Sequence, residues 1–318
     1  MNTFSKKNEI LFKIFDRLEN QSWPDSSLYV VATPIGNLAD MNLRAWEALM
    51  RADFIAVENM RVSRILLDFW GIKTPLIIAN KHNEATVAEL ICNYLQKRNR
   101  LALISDAGAP GISDPGGRIV SLVRKFGYRV IPIPGANSVV TALMGSGITT
   151  DKNPSYAFAG FIPKRYSEKI SWLRFWCNFS IPIVMFETPK RLIHSLEDLL
   201  LICGQSRLLT IARELTKCFE HISSLKLGDI QEWVHKEKNQ QRGEFVLILH
   251  PIEHNIQQKY PEKFDFKIDS LLNILLEEMS IPNAVKIAIK LTGLSHKDLY
   301  AQALMCKNHN NIRNYKET

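Results

Sequence analysis

"LISDAGAPGISDPGG", residues 103–117, leaves an apolar run at 101–104 and places four glycines and two prolines within ten residues. Most connections in a compact domain are shorter and use one or two turn residues. Glycine lets backbone N–H groups approach a ligand with no Cβ in the way. In open α/β sheets, ligands collect at the carboxyl edge of the strands. The reading of this stretch therefore turns on whether its neighbours build such a sheet.

Short apolar runs at 28–33, 54–58, 76–79, 101–105 and 128–133 alternate with amphipathic patterns at 43–50, 62–70, 84–96, 118–126 and 136–146. That is the βαβ rhythm of an α/β domain with a mostly parallel sheet. The strands are continuously apolar, as expected when helices cover both faces. Loop residues at 151–155 break the rhythm. Strands at 156–161, 183–187 and 208–213, and the pair 221–227 and 245–249, follow with helices at 168–177, 191–202 and 229–236. Residues 250–266 read as a polar linker. Beyond it, 268–279 carries one apolar helical face, Pro282 opens a second helix that ends at Thr292-Gly293, and Ser295 caps a third. The expected division is an extension at 1–27, α/β domains at 28–150 and 151–254, and a linker with a helical domain at 255–318.

Composition narrows the function classes. The chain has 318 residues, 46% of them hydrophobic, and a formal charge of +8. No run approaches the ~18 apolar residues of a membrane span. Residues 1–27 interleave apolar and charged side chains, so they do not read as a signal peptide. The five cysteines are scattered with no C-x-x-C, which fits free thiols in a reducing cytoplasm and no metal site. A basic balance favours an anionic partner. Neither G-x-G-x-x-G after a strand nor a P-loop is present, which leaves dinucleotide and P-loop chemistry without support.

Four loops follow strand patterns in the first domain: 33–37, 58–61, 105–117 and 134–138. The second domain adds charged strand ends at 186–191 and 212–217, and Gly243-Glu244 before its last strand. "YVVATPIGNLADMNLRA" (29–45), "SDAGAPGISDPG" (105–116), "PIPGANSVVTAL" (132–143), "FETPKRL" (186–192), "ARELTK" (212–217) and "GEFVLIL" (243–249) occur in this order. Together they resemble the tetrapyrrole-methylase-fold methyltransferases. Within that family the likeness is to the branch that methylates a cytidine ribose 2′-oxygen in the decoding region of small-subunit (16S) ribosomal RNA.

The resemblance implies two α/β domains of tetrapyrrole-methylase type with a cofactor cleft between them, and a small C-terminal helix-turn-helix-like domain. It implies S-adenosylmethionine (SAM) as cofactor, a homodimer, and ribosomal RNA or the small ribosomal subunit as partner. The cofactor walls would be Pro34, Gly36 and Asn37, then Asp106, Gly108, Ala109, Pro110 and Ile112, with Ser138. Glu187, Arg213, Glu214, Gly243 and Glu244 would close the cleft from the second domain. The chain departs from the family pattern where relatives read Glu-Asp-Thr-Arg and this one reads Glu58-Asn59-Met60-Arg61. Ala109 replaces a threonine, and Asn80-Lys81 replace a histidine and a glutamate.

Methyl transfer to a ribose hydroxyl requires alignment and a proton acceptor. Glu58 is the first candidate base, His82 is an alternative, and Arg61 suits a phosphate or a developing alkoxide. Lys164, Arg165, Lys169 and Arg174, interleaved with Tyr166 and Trp172, would contact RNA together with Lys190 and Arg191. Two alternatives stay open at this point. One is a same-fold methylase acting on a small tetrapyrrole. The other is a catalytically impaired SAM- or RNA-binding homologue, suggested by Asn59 and Ala109.

Overall fold

In the computed structural model, which describes residues 3–236, 242–252 and 268–314, the first half of the chain forms a five-stranded parallel sheet. Its strands are β1 (Ser27–Val31), β2 (Phe54–Val57), β3 (Leu76–Ile78), β4 (Arg100–Ile104) and β5 (Arg129–Ile133), in the order β3-β2-β4-β1-β5. Helices cover both faces, as the apolar strands require. One face packs α1 (Thr3–Glu19), α2 (Leu43–Arg51) and α3 (Met60–Phe69) around Leu18, Leu49, Ile55 and Leu67. The other packs α4 (Glu84–Gln96) and α5 (Gly117–Lys125) around Ile91, Leu95, Leu103 and Ile119.

The N-terminal extension is docked. Phe15 meets Trp46 edge-on at 5.7 Å, and Trp23 donates its indole N–H to the Leu18 carbonyl at 2.9 Å. Helix α3 starts two residues earlier than the apolar pattern predicts, because the Asn59 side chain accepts from the Arg61 N–H at 3.0 Å and caps it.

The second sheet is mixed: β6 (Ala157–Phe161), β7 (Ile183–Glu187), β8 (Leu208–Arg213), β9 (His221–Lys226) and β10 (Phe245–Leu249), ordered β6-β7-β10-β8-β9. The expected pair at 221–227 and 245–249 is not a neighbouring pair. Strand β10 lies antiparallel between β7 and β8, and β9 forms the edge. The residues give the reason. Strand β10, "FVLIL", is buried at every position and suits a central strand, whereas "HISSLK" has buried none of its six residues and suits an edge. Helices α7 (Tyr166–Trp176), α8 (Leu192–Cys203) and α9 (Ile230–Lys236) accompany this sheet.

Helix α6 (Ser138–Ser146) joins the two halves. Asn137 caps it by accepting from the Val139 and Val140 N–H groups, and Gly147 ends it in the left-handed region at φ 64°. Its Val139, Ala142 and Leu143 form one buried cluster with Val184, Ala212 and Val246 of the second sheet. A Cβ on Gly145 would stand 2.3 Å from the terminal methyl of Ile222, so a larger residue there would require that side-chain tip to move.

These halves form one compact unit, Met1–Glu253, and His254–Thr318 forms another. In the second unit, α10 (Ile268–Glu278), α11 (Ile281–Thr292) and α12 (His296–Asn314) pack around Leu272, Val285, Ala288 and Leu299. Gly293 turns the chain after α11 at φ 70°, and Ser295 caps the next helix by accepting from the Asp298 N–H. Most of the expected linker, 253–266, lies outside the described residues. Among the described residues no helix is long and apolar enough to cross a membrane.

Candidate functional site

Strand order brings together loops that are distant in sequence. Because β4 lies between β2 and β1, the 105–117 loop sits between the Glu58 loop and the 33–37 loop. Both neighbours bond to it. Thr33 and Gly108 exchange backbone hydrogen bonds of 2.8 and 3.1 Å, and the Asn59 N–H donates to Asp106 Oδ1 at 3.1 Å. The far end of the loop is also held. The buried Glu84 carboxylate, at the start of α4, accepts from the Gly116 N–H at 2.6 Å. Gly116 has φ 135°, and a Cβ there would meet the Gly111 nitrogen and the Leu103 side chain at 3.2 Å. Only glycine fits without strain.

On one side of this loop lies a cleft of about 320 Å³ between the two sheets, within the range usual for small-molecule sites. The first half contributes Ile35, the loop from Ala107 to Asp114, Asn137 and Ser138. The second half contributes Phe161, residues 186–189, Leu215 and the start of β10. On the other side, Glu58, Arg61, His82 and Asp106 share a broader, more open recess of about 620 Å³ with Asn59 and Lys81.

The expected cofactor residues thus divide. Gly108, Ala109, Ile112, Ser138, Glu187 and Glu244 line the cleft, and Asp106 faces the second recess. Gly36 serves domain contact: a Cβ there would stand 2.6 Å from Lys217 Cγ. Asn37 caps a short 3-10 turn by accepting from the Ala39 N–H. Gly243 makes room for Glu214, whose Cγ would be 2.5 Å from an added Cβ. Glu214 accepts from Lys217 and from the Glu244 N–H, both at 2.9 Å, and Arg213 donates to the Arg242 carbonyl. Pro34 and Pro110 are outside the cleft lining.

Glu187 is a structural anchor as well as a wall. Its side chain is 0% exposed, pairs with Arg191 at 2.6 Å, and accepts from Ser195 Oγ at 2.5 Å and the Thr188 N–H at 2.6 Å. Leaving a buried ion-pair partner alone typically costs about 3–5 kcal/mol. Arg191, expected to face RNA, is therefore held inside by Glu187, Thr188 and the Ile162 carbonyl. Lys169 is likewise paired with Asp198, and Trp172 packs against the second core. Lys164, Arg165, Arg174 and Lys190 are exposed.

Three carboxyl groups converge on the loop. Burial, then the like charge of Asp106, pushes Glu58 above the usual carboxylate range, with Lys81 opposing. Burial also raises Asp106, against the Asn59 hydrogen bond. Asp114 is pushed up to about 6 by burial, then by Glu58 and Asp106. Sequence reasoning missed Asp114, although it lies in the opening stretch, because Ser-Asp-Pro-Gly is also ordinary turn chemistry. It missed Glu84 too, since only the fold brings that carboxylate under Gly116.

Comparison with known proteins matches residues 27–231 to the family of Tetrapyrrole (Corrin/Porphyrin) Methylases and residues 265–307 to the RsmI C-terminal HTH domain. Ribosomal RNA small subunit methyltransferase I of Neisseria meningitidis serogroup B is 39% identical over 282 residues, 89% of this chain and 94% of that protein. The enzyme of the same name from Escherichia coli O157:H7 is 37% identical over 279 residues, 87% of this chain and 94% of that protein. Among solved structures, cobalt precorrin-4 methyltransferase superposes with a TM-score of 0.54 at 14% identity, covering 71% of this chain and 95% of that one. At that identity the likeness speaks for the fold alone.

The raised Asp114 carboxyl has a consequence for stability. A carboxyl whose folded pKa lies above its unfolded 3.8 stabilises the fold fully below that pH, and the contribution is lost as pH rises through about 6. Asp114→Asn, neutral throughout, is expected to be more stable than the parent near neutral pH by about 1 kcal/mol, a value discounted for partial solvent exposure. The difference should close toward about pH 4. Urea unfolding across that range measures it, and a pH-independent difference would contradict the desolvated carboxylate.

Proposed function

The chain belongs to the tetrapyrrole methylase family and is a SAM-dependent methyltransferase of small-subunit ribosomal RNA; from that premise we propose that it methylates the ribose 2′-oxygen of a cytidine in the decoding region. The observation that carries this reading is the meeting of two unlike recesses on one loop, an apolar cleft and an acidic, histidine-bearing recess.

The cleft fits the cofactor. Ile35, Phe161, Phe186 and Leu215 offer apolar surface, and Asn137, Ser138 and Glu244 offer polar ends. The loop from Ala107 to Asp114 and residues 186–189 would hold SAM between them. When bound, SAM supplies a methyl group on a sulfonium.

On the other side, Glu58 accepts the proton of the ribose hydroxyl at its carboxylate. Its raised pKa makes it a better base near neutral pH than an ordinary glutamate. His82, exposed in the same recess, is the second acceptor available. Arg61 stands exposed in the first turn of α3, where both its charge and the helix N-terminus suit a phosphate. Lys164, Arg165, Arg174 and Lys190 extend the cationic contact.

Asn59 argues against an impaired enzyme. Its side chain is spent on capping α3, a role that Asp and Asn fill about equally well. A small tetrapyrrole substrate is disfavoured by the C-terminal match and by the ribosomal RNA relatives.

The proposal includes a cytoplasmic homodimer. Val62, Ile65 and Phe69, spaced to share one face of α3, are 40%, 67% and 64% exposed. Light scattering should return twice the 36.4 kDa chain mass, and a monomer at working concentration would contradict the dimer.

The roles of the recess are tested by Glu58→Gln. It is expected to lower turnover by about 10²-fold or more and to leave SAM affinity within a few-fold. Arg61→Ala should weaken RNA binding and flatten its salt dependence. Loss of SAM affinity in Glu58→Gln, measured by calorimetry, would move this loop to the cofactor side.

A further inference from the structure

Five cysteines scattered along the sequence suggest unrelated thiols, but folding brings two of them together. Cys177 caps the C-terminus of α7, Cys203 is the last residue of α8, and their sulfurs stand 2.6 Å apart. That is closer than two sulfurs in ordinary non-bonded contact. Arg207 is fixed beside them, donating to the Cys177 carbonyl at 3.1 Å and to the His250 carbonyl at 2.7 Å. Cys203 borders two surface recesses of about 380 and 690 Å³, and Cys177 borders the larger. The other thiols sit elsewhere. Cys92 and Cys306 are buried in other clusters, and Cys218 is exposed.

We infer that Cys177 and Cys203 form a peroxide-reactive thiol pair, a modification site at which hydrogen peroxide converts two thiols into a disulfide joining α7 to α8. The two sulfurs are not equivalent. Between the two thiols the Cys203 S–H donates to Cys177. Once Cys203 ionises, the Cys177 S–H turns to it, and this, with Arg207 acting against burial, holds the Cys203 thiol below its usual range. Cys177 is pushed up, first by that hydrogen bond and then by burial. The thiolate is the nucleophile, so Cys203 attacks and Cys177 resolves.

In the first step Cys203 sulfur bonds to one peroxide oxygen, the O–O bond breaks, and hydroxide leaves. The sulfur is oxidised to a sulfenic acid and the peroxide is reduced. In the second step the Cys177 sulfur displaces the hydroxyl from Cys203. The S–S bond forms, the S–O bond breaks, and water leaves with the Cys177 proton. The overall change is two thiols and one hydrogen peroxide to one disulfide and two waters. The link ties together the ends of the segment that carries β7 and residues 186–189 of the cleft wall. It does not depend on the methyltransferase assignment.

The test treats the full-length protein with a small excess of hydrogen peroxide, blocks free thiols, and maps tryptic peptides without reduction. Cleavage after Arg174, Lys190, Arg191 and Arg207 separates the two cysteines into peptides 175–190 and 192–207. They are expected to appear linked, two hydrogens lighter than their sum and separable by dithiothreitol, while Cys218 remains a thiol. In Cys177→Ser, dimedone should capture a sulfenic acid at Cys203 faster than at Cys218. Recovery of the two peptides unlinked with Cys218 oxidised first would overturn the pair, and that result needs no variant to fold. Dimedone capture at Cys177 in Cys203→Ser, with none at Cys203 in Cys177→Ser, would overturn the assigned roles.

Discussion

The 105–117 loop can serve as a wall only because it is fixed at both ends. Thr33 and Gly108 clamp its start by two backbone hydrogen bonds, and the Glu84 carboxylate holds the Gly116 N–H at its end. A stretch this rich in glycine would otherwise carry a large ordering cost, since each residue fixed in one backbone well costs about 1–2 kcal/mol and glycine costs more than the rest. The bond to Glu84 is charge-assisted and buried, the kind that contributes most to holding a conformation. With its path fixed, the loop presents one face to the apolar cleft and carries Asp106 and Asp114 beside Glu58.

That arrangement separates two chemical environments by the thickness of one loop. Toward the second domain the lining is aromatic and aliphatic, with Phe161 and Phe186 edge-to-face at 5.3 Å. Toward β2 and β3 it is polar and charged; burial raises Glu58, Asp106 and Asp114, and neighbouring carboxylates add to the shifts of Glu58 and Asp114. Raised carboxyl pKa values are destabilising near neutral pH and are characteristic of groups kept for proton transfer. The fold sustains this because the halves are locked elsewhere, through α6 and the cluster it shares with the second sheet.

Much of this was legible in the residues. Period and apolarity located the ten strands among the described residues, and glycine and serine marked where helices end and begin, as at Gly293 and Ser295. Loop composition singled out loops that the structure gathers at the carboxyl edge of the first sheet. What the residues could not disclose was neighbourhood. Nothing in the order of segments says that β10 inserts between β7 and β8, that Glu84 reaches Gly116, or that Cys177 meets Cys203. The same limit misled the reading of charge. Lys169 and Arg191 looked like RNA-facing cations until their partners, Asp198 and Glu187, were seen across the fold. Gly36 and Gly243 looked like cofactor glycines, and both instead relieve contacts with the 214–217 turn.

The central claim is the division of labour across the 105–117 loop: cofactor in the cleft between the sheets, substrate ribose in the Glu58–His82 recess. The most direct measurement is a crystal structure of the full-length protein with S-adenosylhomocysteine. The account predicts the nucleoside between the loop from Ala107 to Asp114 and residues 186–189, with Glu58, Arg61 and His82 making no contact with it. Density for the ligand against Glu58 and His82, with the cleft between the sheets unchanged, would contradict it.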